Sequence, residues 1–243
     1  MTTHIKKGIK VLEPIYLAHL EQNAWFSQLP SVFKKFIVEH AVQQHFVKEQ
    51  AIFYSGDLFN GIYAVLEGAV RLGYIDIEGK ESVAAIVEPI MWFGEISLVD
   101  VQPRSHDAIA IQKSMILHIP STAIQKLLAA RPVFWYHIAQ LTSQKLRFAF
   151  LELIAIQTQS LTQRLAQRLM FILNGYGNHL VIETHTIHLS QEQLAQMLTC
   201  SRQTVNQELQ ALEKQSILRL SFRKIEILDL AELHRIAHAS SSF

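Results

Sequence analysis

Ser190-Gln-Glu-Gln-Leu-Ala-Gln-Met-Leu-Thr-Cys-Ser-Arg-Gln-Thr-Val-Asn-Gln207 is the stretch on which the fold turns. Ser190 and Gln193 stand at the spacing of a capping box, which satisfies two free amide donors at a helix start. Leu194, Ala195, Met197 and Leu198 then share one face. Thr199-Cys200 reads as a tight turn. Ser201 caps a second helix, Arg202 to Lys214, whose inner side is Val205, Leu209 and Leu212. Two short helices, a tight turn and one polar face make a helix-turn-helix, whose second helix enters the major groove by its N-terminal end. Arg202, Gln203, Asn206 and Gln207 are the residues presented there. Arg bonds guanine O6 and N7 together, and Asn or Gln bonds adenine N6 and N7. Ser190, Ser201, Thr204 and the helix starts are suited to hold phosphates. The competing reading is a helical hairpin that packs on protein only. Charge does not separate the two, since Lys and Arg exceed Asp and Glu by only one across residues 160–243.

Downstream, residues 217–220 and 225–228 read as a two-stranded wing with Arg223 and Lys224 near its tip, where they would touch the DNA backbone. Asp229 and Glu232 cap a last helix. Upstream, Ser160 and Gln163 form another capping box, followed by Leu161, Leu165, Leu169 and Ile172 on one face; Gly175 and Gly177 end that helix. Residues 157–159 are the expected hinge.

From Val133 to Ile156 the chain has no Gly or Pro, a run of about 36 Å if helical. Trp135, Ala139, Thr142, Leu146, Ala149, Leu153 and Ile156 repeat at alternating three and four, the spacing of a coiled-coil seam. Phe134, Leu141, Phe148 and Ala155 form a second stripe. A helix apolar on two sides is buried in its own chain or shared with a partner chain, and a homodimer is the expected solution. Residues 46–120 are short β-branched and aromatic runs between turns, such as Ser55-Gly56-Asp57, Glu67-Gly68 and Glu78-Gly79. Val70, Leu72 and Tyr74 alternate as in a half-buried strand. This texture implies a small antiparallel barrel or sandwich. Residues 5–45 read as helical pieces broken at Pro14 and Pro30, with Ser31 as a cap. Ser121 caps a short helix ending near Arg131-Pro132.

Composition narrows the rest. The chain has 243 residues, enough to bury roughly 70% of the surface its unfolded form exposes. With 49% hydrophobic residues, 9 Gly and 6 Pro, it is neither disordered nor collagen-like. Its single cysteine, Cys200, excludes a disulfide framework, an all-cysteine iron–sulfur cluster and a four-cysteine zinc site. A net charge of +1 names no partner. No stretch is long and apolar enough to span a membrane or serve as a signal peptide, so no membrane partner and a cytoplasmic location are expected.

Residues 191–206, with Leu209, Leu212, Glu213 and Ile217-Leu218, resemble the winged helix of the Crp/Fnr (catabolite activator) family of bacterial transcription regulators. Ile52-Phe53, Gly56-Asp57, Gly61-Ile62-Tyr63, Val65-Leu66, Gly68 and Val70-Arg71 resemble its β-roll. Phe93-Gly-Glu-Ile-Ser-Leu98 and Pro103-Arg-Ser105 resemble its phosphate-binding cassette. The resemblance implies an α+β fold: a cyclic-nucleotide-binding-type β-roll (jelly roll) sensor over residues 1–130, a dimerisation helix and hinge over 131–159, and a winged helix-turn-helix over 160–243. It implies a homodimer on a palindromic DNA operator, and contact with RNA polymerase, for which no surface signature stands out.

The cassette has its own chemistry. Gly94 lets backbone pass close to a ligand. Glu95, Ile96 and Ser97 open a short helix toward an anion. Arg104 and Ser105 offer a guanidinium fork and a hydroxyl to a phosphate. The resemblance assigns Glu95 to a ribose hydroxyl and Arg104 and Ser105 to a cyclic phosphate, with cAMP or a related nucleotide as effector. The competing reading is an internal Glu95–Arg104 salt bridge in an empty roll. Two departures favour it. His106 stands where cyclic-nucleotide binders carry a small residue. Ala149 and Phe150 replace the family's adenine-gripping Thr and Ser, and neither side chain hydrogen-bonds. Phe150 could stack on a base or fill the pocket. In the recognition helix Arg202 matches the family, whereas Gln203, Asn206 and Gln207 depart from it, so the operator is expected to differ.

No metal site is expected. His185 with His188, and His234 with His238, lack adjoining ligands and read as solvated surface residues. Cys200 reads as a small side chain packed between the two helices. No Gly-x-Ser-x-Gly, His-Glu-x-x-His or Walker loop is present, and the chain is not expected to be an enzyme.

Overall fold

The structure is a computed structural model that describes residues 12–75, 78, 81–178 and 185–238. The readings of residues 5–11, of the extreme N-terminus and of Gly79 lie outside that set. Proline stands at the start of two of the first three helices. Pro14 is the first residue of α1 (Pro14–Leu20), and Asn23 caps α2 (Ala24–Ser27) by accepting from the amides of Trp25 and Phe26. Ser31 does not cap α3 (Ser31–His40): Pro30 holds the cap position and Ser31 is already helical.

The sensor half follows as β1 (Val42–Phe46), β2 (Ala51–Phe53), β3 (Gly61–Glu67), β4 (Val70–Ile75), β5 (Glu81–Val87), β6 (Trp92–Phe93), α4 (Ile96–Val99), β7 (Asp107–Ala110) and β8 (Ser114–Pro120). Two four-stranded antiparallel sheets result, in the orders β1-β8-β3-β6 and β2-β7-β4-β5. Strand β3 shows why. Tyr63 and Val65 face a core with Phe53, Phe93 and Ile116, while Ile62, Ala64 and Leu66 face another with Phe26, Phe33 and Ile119. Period-two alternation thus serves the inside of the roll and the helices outside it. Two sequence readings change here. Residues 42–46 form a strand paired with β8 rather than the end of the helical region. The alternation along β4 breaks, because the pairing with β5 shifts between Leu72 and Gly73. Tyr74 is consequently exposed, and Arg71 is buried with Glu81 as its ion-pair partner.

Helix α5 (Ser121–Ala130) starts after Pro120, again without a side-chain cap, so Ser121 is its first residue rather than its cap. A 3-10 turn, Pro132–Phe134, leads into α6 (Trp135–Thr158). At 24 residues it is about 36 Å long. Its two stripes have different fates. Phe134, Leu141 and Ala155 are buried, and Phe148 packs edge-on against Phe171. The other stripe, including Trp135, Leu146, Leu153 and Ile156, is exposed in the single chain. The helix continues through Thr158 and breaks only at Gln159, which is extended, so the expected hinge narrows to Gln159 and the cap Ser160.

The C-terminal half comprises α7 (Leu161–Leu173), β9 (Thr186–Ile187), α8 (Gln191–Leu198), α9 (Arg202–Lys214), β10 (Leu218–Ser221), β11 (Lys224–Ile227) and α10 (Leu230–Ala237). The capping boxes at Ser160–Gln163 and Ser190–Gln193, and the caps at Ser201 and Asp229, form as expected. The wing has a third strand, since β9 pairs with β11.

The two halves meet through specific contacts. Asn23 Nδ2 donates to Asn178 Oδ1 at 3.2 Å, with both residues buried, and the Ala24 amide donates to the Asn178 carbonyl at 2.7 Å. Gln144 on α6 donates to the Gly177 carbonyl. Gly177 has φ +76°, and an added Cβ would lie 2.8 Å from both Gln144 Nε2 and Phe148 Cε2, so only glycine fits this junction. Arg168 on α7 donates to Glu152 of α6 at 2.5 Å, to the Ala84 carbonyl of β5 at 3.3 Å and to the Met197 carbonyl of α8 at 3.4 Å. One guanidinium fork therefore ties the long helix, the sensor sheet and the first helix of the helix-turn-helix.

Candidate effector pocket and nucleic-acid interface

Between β6 and α4 the chain turns at Gly94, with φ +89°. An added Cβ there would lie 3.1 Å from Arg104 Nη1 and 3.2 Å from the Tyr63 ring. The missing side chain makes room for the buried Arg104 fork. Arg104 Nη1 donates to the Gly94 carbonyl at 2.6 Å, and Nη2 donates to Asn60 Oδ1 and the Gly61 carbonyl, each at 2.6 Å. Its guanidinium carbon sits 4.3 Å from the Phe53 ring centroid and 5.1 Å from that of Phe59.

Glu95 is 1% exposed. It does not pair with Arg104. Its Oε2 accepts from Lys145 Nζ at 2.5 Å, so the ion pair runs from the cassette to α6. The internal Glu95–Arg104 bridge is therefore replaced by two separate arrangements. Ser105 is exposed, and its hydroxyl lies 2.9 Å from His106 Nδ1. Burial holds the His106 imidazole below its ordinary value, and Lys145 and Arg104 push the same way. Three buried polar atoms of this cluster lack a hydrogen-bond partner: Glu95 Oε1, Arg104 Nε and His106 Nε2. Buried polar atoms are normally satisfied, so three such atoms in one place call for a partner, which a bound polar ligand would supply.

The remaining expected effector residues are placed differently. Ser97 is buried on α4 and Ile96 is partly exposed. Ala149 and Phe150 lie on the outer face of α6. Phe150 is 56% exposed, in a shallow hollow with Ser143, Leu146, Arg147 and Leu151. It does not fill the roll of its own chain. Lys145 and Asn60 join the cluster although neither is among the residues expected from the sequence. Lys145 had a signal, since it precedes Ala149 by one helical turn on the same face. Asn60 had none, because no spacing rule links it to Arg104.

At the other end, Arg202, Gln203 and Gln207 are exposed on one side of α9. Asn206 is half-buried, and its Oδ1 accepts from Gln191 Nε2 at 2.9 Å. The Ser190 and Ser201 hydroxyls accept from the amides of Gln193 and Thr204 as helix caps. Ser201 Oγ also lies 2.7 Å from Thr204 Oγ1. These hydroxyls, expected on phosphates, are thus committed to holding the helix starts. Arg223 is exposed at the wing tip with Lys224 beside it, half-buried. Arg202, Ser190, Arg223 and Lys224 border one cleft of about 570 Å³, which Arg71 and Glu81 of the sensor sheet also line. Cys200 packs against the core between the helices, and burial pushes its thiol up. Among the described residues, no group of three His, Cys, Asp or Glu is positioned to hold a metal, and no helix is long and apolar enough to cross a membrane.

Comparison with known proteins bears on both halves. The cyclic nucleotide-binding domain family matches residues 43–131, and the Crp-like helix-turn-helix domain family matches residues 163–236. The cyclic AMP receptor protein of Thermus thermophilus is 33% identical over 187 residues, covering 76% of this chain and 83% of that protein. The CRP-like cAMP-activated global transcriptional regulator of Mycobacterium tuberculosis is 26% identical over 193 residues, covering 79% and 86%. The structure of FixK2 from Bradyrhizobium japonicum shares the fold, with a TM-score of 0.72 at 20% identity over 83% of this chain and 99% of that one. Sensor roll, long helix and helix-turn-helix stand in the same order in this chain, which therefore belongs to the Crp family of DNA-binding transcription regulators.

Proposed function

We propose that the protein is a cytoplasmic homodimer whose β-roll binds a nucleotide, cAMP or a close relative, and thereby reorients two winged helices on a palindromic operator. Residues 1–130 are the sensor, 131–159 the dimerisation helix and hinge, and 160–243 the DNA-binding domain. The observation that carries this reading is the cluster of buried, unpartnered polar atoms on Glu95, Arg104 and His106. In this reading Glu95 takes a ribose hydroxyl and Arg104 with Ser105 takes the phosphate. Gly94, Ile96 and Ser97 shape the backbone around it. Relatives named as a cyclic AMP receptor and a cAMP-activated regulator support the choice of cAMP.

The seam of α6 supplies the dimer, with Ala149 and Phe150 at the pocket mouth. Phe150, turned outward from its own chain, reaches toward the partner's roll and offers a ring to stack on a base. A ligand that bridges roll and α6 favours one arrangement of the winged helices, a population shift across Gln159 and Ser160. Arg202, Gln203, Asn206 and Gln207 read bases, and Arg223 and Lys224 hold the backbone. Regulation proceeds through contact with RNA polymerase.

One observation favours a second reading. The terminal nitrogens of Arg104 are already occupied by Gly94, Asn60 and Gly61, and Glu95 by Lys145. A roll whose Arg104 fork and Glu95 are already held by groups of the same chain suits a regulator that binds DNA without a ligand. Selecting duplexes from a random DNA pool with the full-length protein, with and without cAMP, separates the readings. The proposal expects two half-sites about 34 Å apart, enriched with cAMP and not without it. Equal enrichment in both arms supports the ligand-free regulator. A single unpaired site contradicts the dimer.

A further inference from the structure

Phe222 is 94% exposed. It occupies the first position of the two-residue turn between β10 and β11, which are joined at the Ser221–Lys224 pair. Glycine, asparagine and aspartate suit such turns, because their side chains tolerate the backbone and water together. A fully exposed phenylalanine gains nothing there from folding. The inward side of the wing is already supplied by Ile225 and Ile227, which are buried. The ring is therefore surplus to the core.

Its surroundings specify what it meets. Arg223 follows it in the turn and Lys224 opens the next strand. Neither makes an ion pair among the described residues, whereas Arg219 pairs with Glu226 lower on the wing. Phe222 borders the same cleft as Arg202 and Ser190, so ring, recognition-helix start and α8 start share one rim. Arg202 is among the residues proposed to read bases, and the same cleft is also lined by Lys48, Glu49, Arg71 and Glu81 of the sensor. An apolar ring flanked by two cations matches the groove of a polyanion whose base edges are apolar in part. It matches a protein surface less well.

We infer that Phe222 is a wedge that enters the minor groove beside each major-groove half-site and partly unstacks one base step, while Arg223 and Lys224 hold the flanking phosphates. The inference rests on DNA binding by the helix-turn-helix and adds a second element of sequence selection. Pyrimidine–purine steps open most easily, so the wedge selects such a step at a fixed offset without any hydrogen bond to a base.

The test uses full-length protein and duplex selection from a random pool, run with and without cAMP, for the wild type, Phe222→Ala and Phe222→Leu. All three should share one unfolding midpoint, since the ring is 94% exposed and buries almost nothing on folding. The wild type should enrich a TA or CA/TG step at a constant distance outside each half-site. Phe222→Ala should keep the major-groove consensus, lose that step, bind at least about tenfold more weakly and bend the DNA less in a permuted-site mobility assay. Phe222→Leu, which keeps an apolar wedge, should retain most of the bend. Unchanged consensus, affinity and bend in Phe222→Ala would overturn the inference. So would tighter binding, which would mean that the ring closes the cleft against the sensor. A wild type that enriches no duplex in either arm contradicts the DNA-binding reading itself and removes the wedge with it.

Discussion

The Glu95 carboxylate of the cassette and the Lys145 ammonium of the long helix lie 2.5 Å apart, with Glu95 almost wholly buried and Lys145 partly in water. The pair joins the cassette, which is proposed to bind the effector, to the helix that carries the exposed apolar seam. Lys145→Ala should leave Glu95 buried without a counter-charge. The expected loss is about 2 kcal/mol, below the range for wholly buried pairs because Lys145 keeps some solvent. Adding Glu95→Gln should recover part of it. Urea unfolding of the single and double variants measures both, and a single variant as stable as the wild type would contradict the pairing.

A second prediction concerns acid. His118 Nε2 lies 3.0 Å from the Asn60 carbonyl and Nδ1 lies 3.2 Å from Gln44 Nε2, so the neutral ring donates to one and accepts from the other. Burial lowers its pKa from the ordinary 6.5. Above 6.5 both folded and unfolded chains hold the ring neutral. As pH falls below that value the unfolded chain takes up a proton and the folded chain does not, so stability falls until the folded pKa is passed. His118→Gln should flatten this part of the curve. Glu88 and Glu152, whose carboxyls burial pushes up, titrate in both proteins and cancel in the difference. A variant with the wild-type slope would contradict the assignment.

The exposed seam of α6 makes a prediction about assembly. Leu146 is 55% and Leu153 52% exposed in the single chain. Replacing both with Glu should change sedimentation from dimer to monomer while leaving the circular dichroism of the roll unchanged. Such a seam is stabilised by burying apolar knobs, and four like charges across a two-fold axis oppose it. A double variant that remains dimeric would place the interface elsewhere.

The two classes of DNA contact should separate by salt. Arg202→Ala should weaken binding to the selected operator by about 1–3 kcal/mol and relax selection at one base pair. Arg223→Ala should weaken binding to all sequences alike and reduce the salt slope by about one. Fluorescence anisotropy on the operator and on a scrambled duplex, across a salt series, reads both. The reverse pattern would exchange their roles.

Much of this architecture was legible because it rests on local rules. Ser160, Ser190 and Ser201 announce their helices by capping chemistry that needs no distant partner. The two stripes of α6 follow from spacing alone. What escaped depends on partners far along the chain. Residues 42–46 become a strand because β8 pairs with them, and β9 exists through two residues paired to the wing. Tyr74 turns outward because a shift in pairing lies before it. In the cassette, Gly94, Glu95 and Arg104 can be read from their motif, whereas Asn60 enters only because the roll brings it to Arg104. Ser31 and Ser121 are the first helical residues rather than caps for one reason: each follows a proline that takes the cap position itself.

The central claim is that the roll binds a nucleotide through Arg104. The thermal unfolding midpoint of the purified protein, with and without cAMP, tests it most directly, with Arg104→Ala as the control. At a hundredfold excess over its dissociation constant the ligand should add about 2.7 kcal/mol, a rise of about 5–11 °C for a chain of this size. The account predicts that rise in the wild type and its absence in Arg104→Ala. No rise with cAMP, or an equal rise in both proteins, would contradict it.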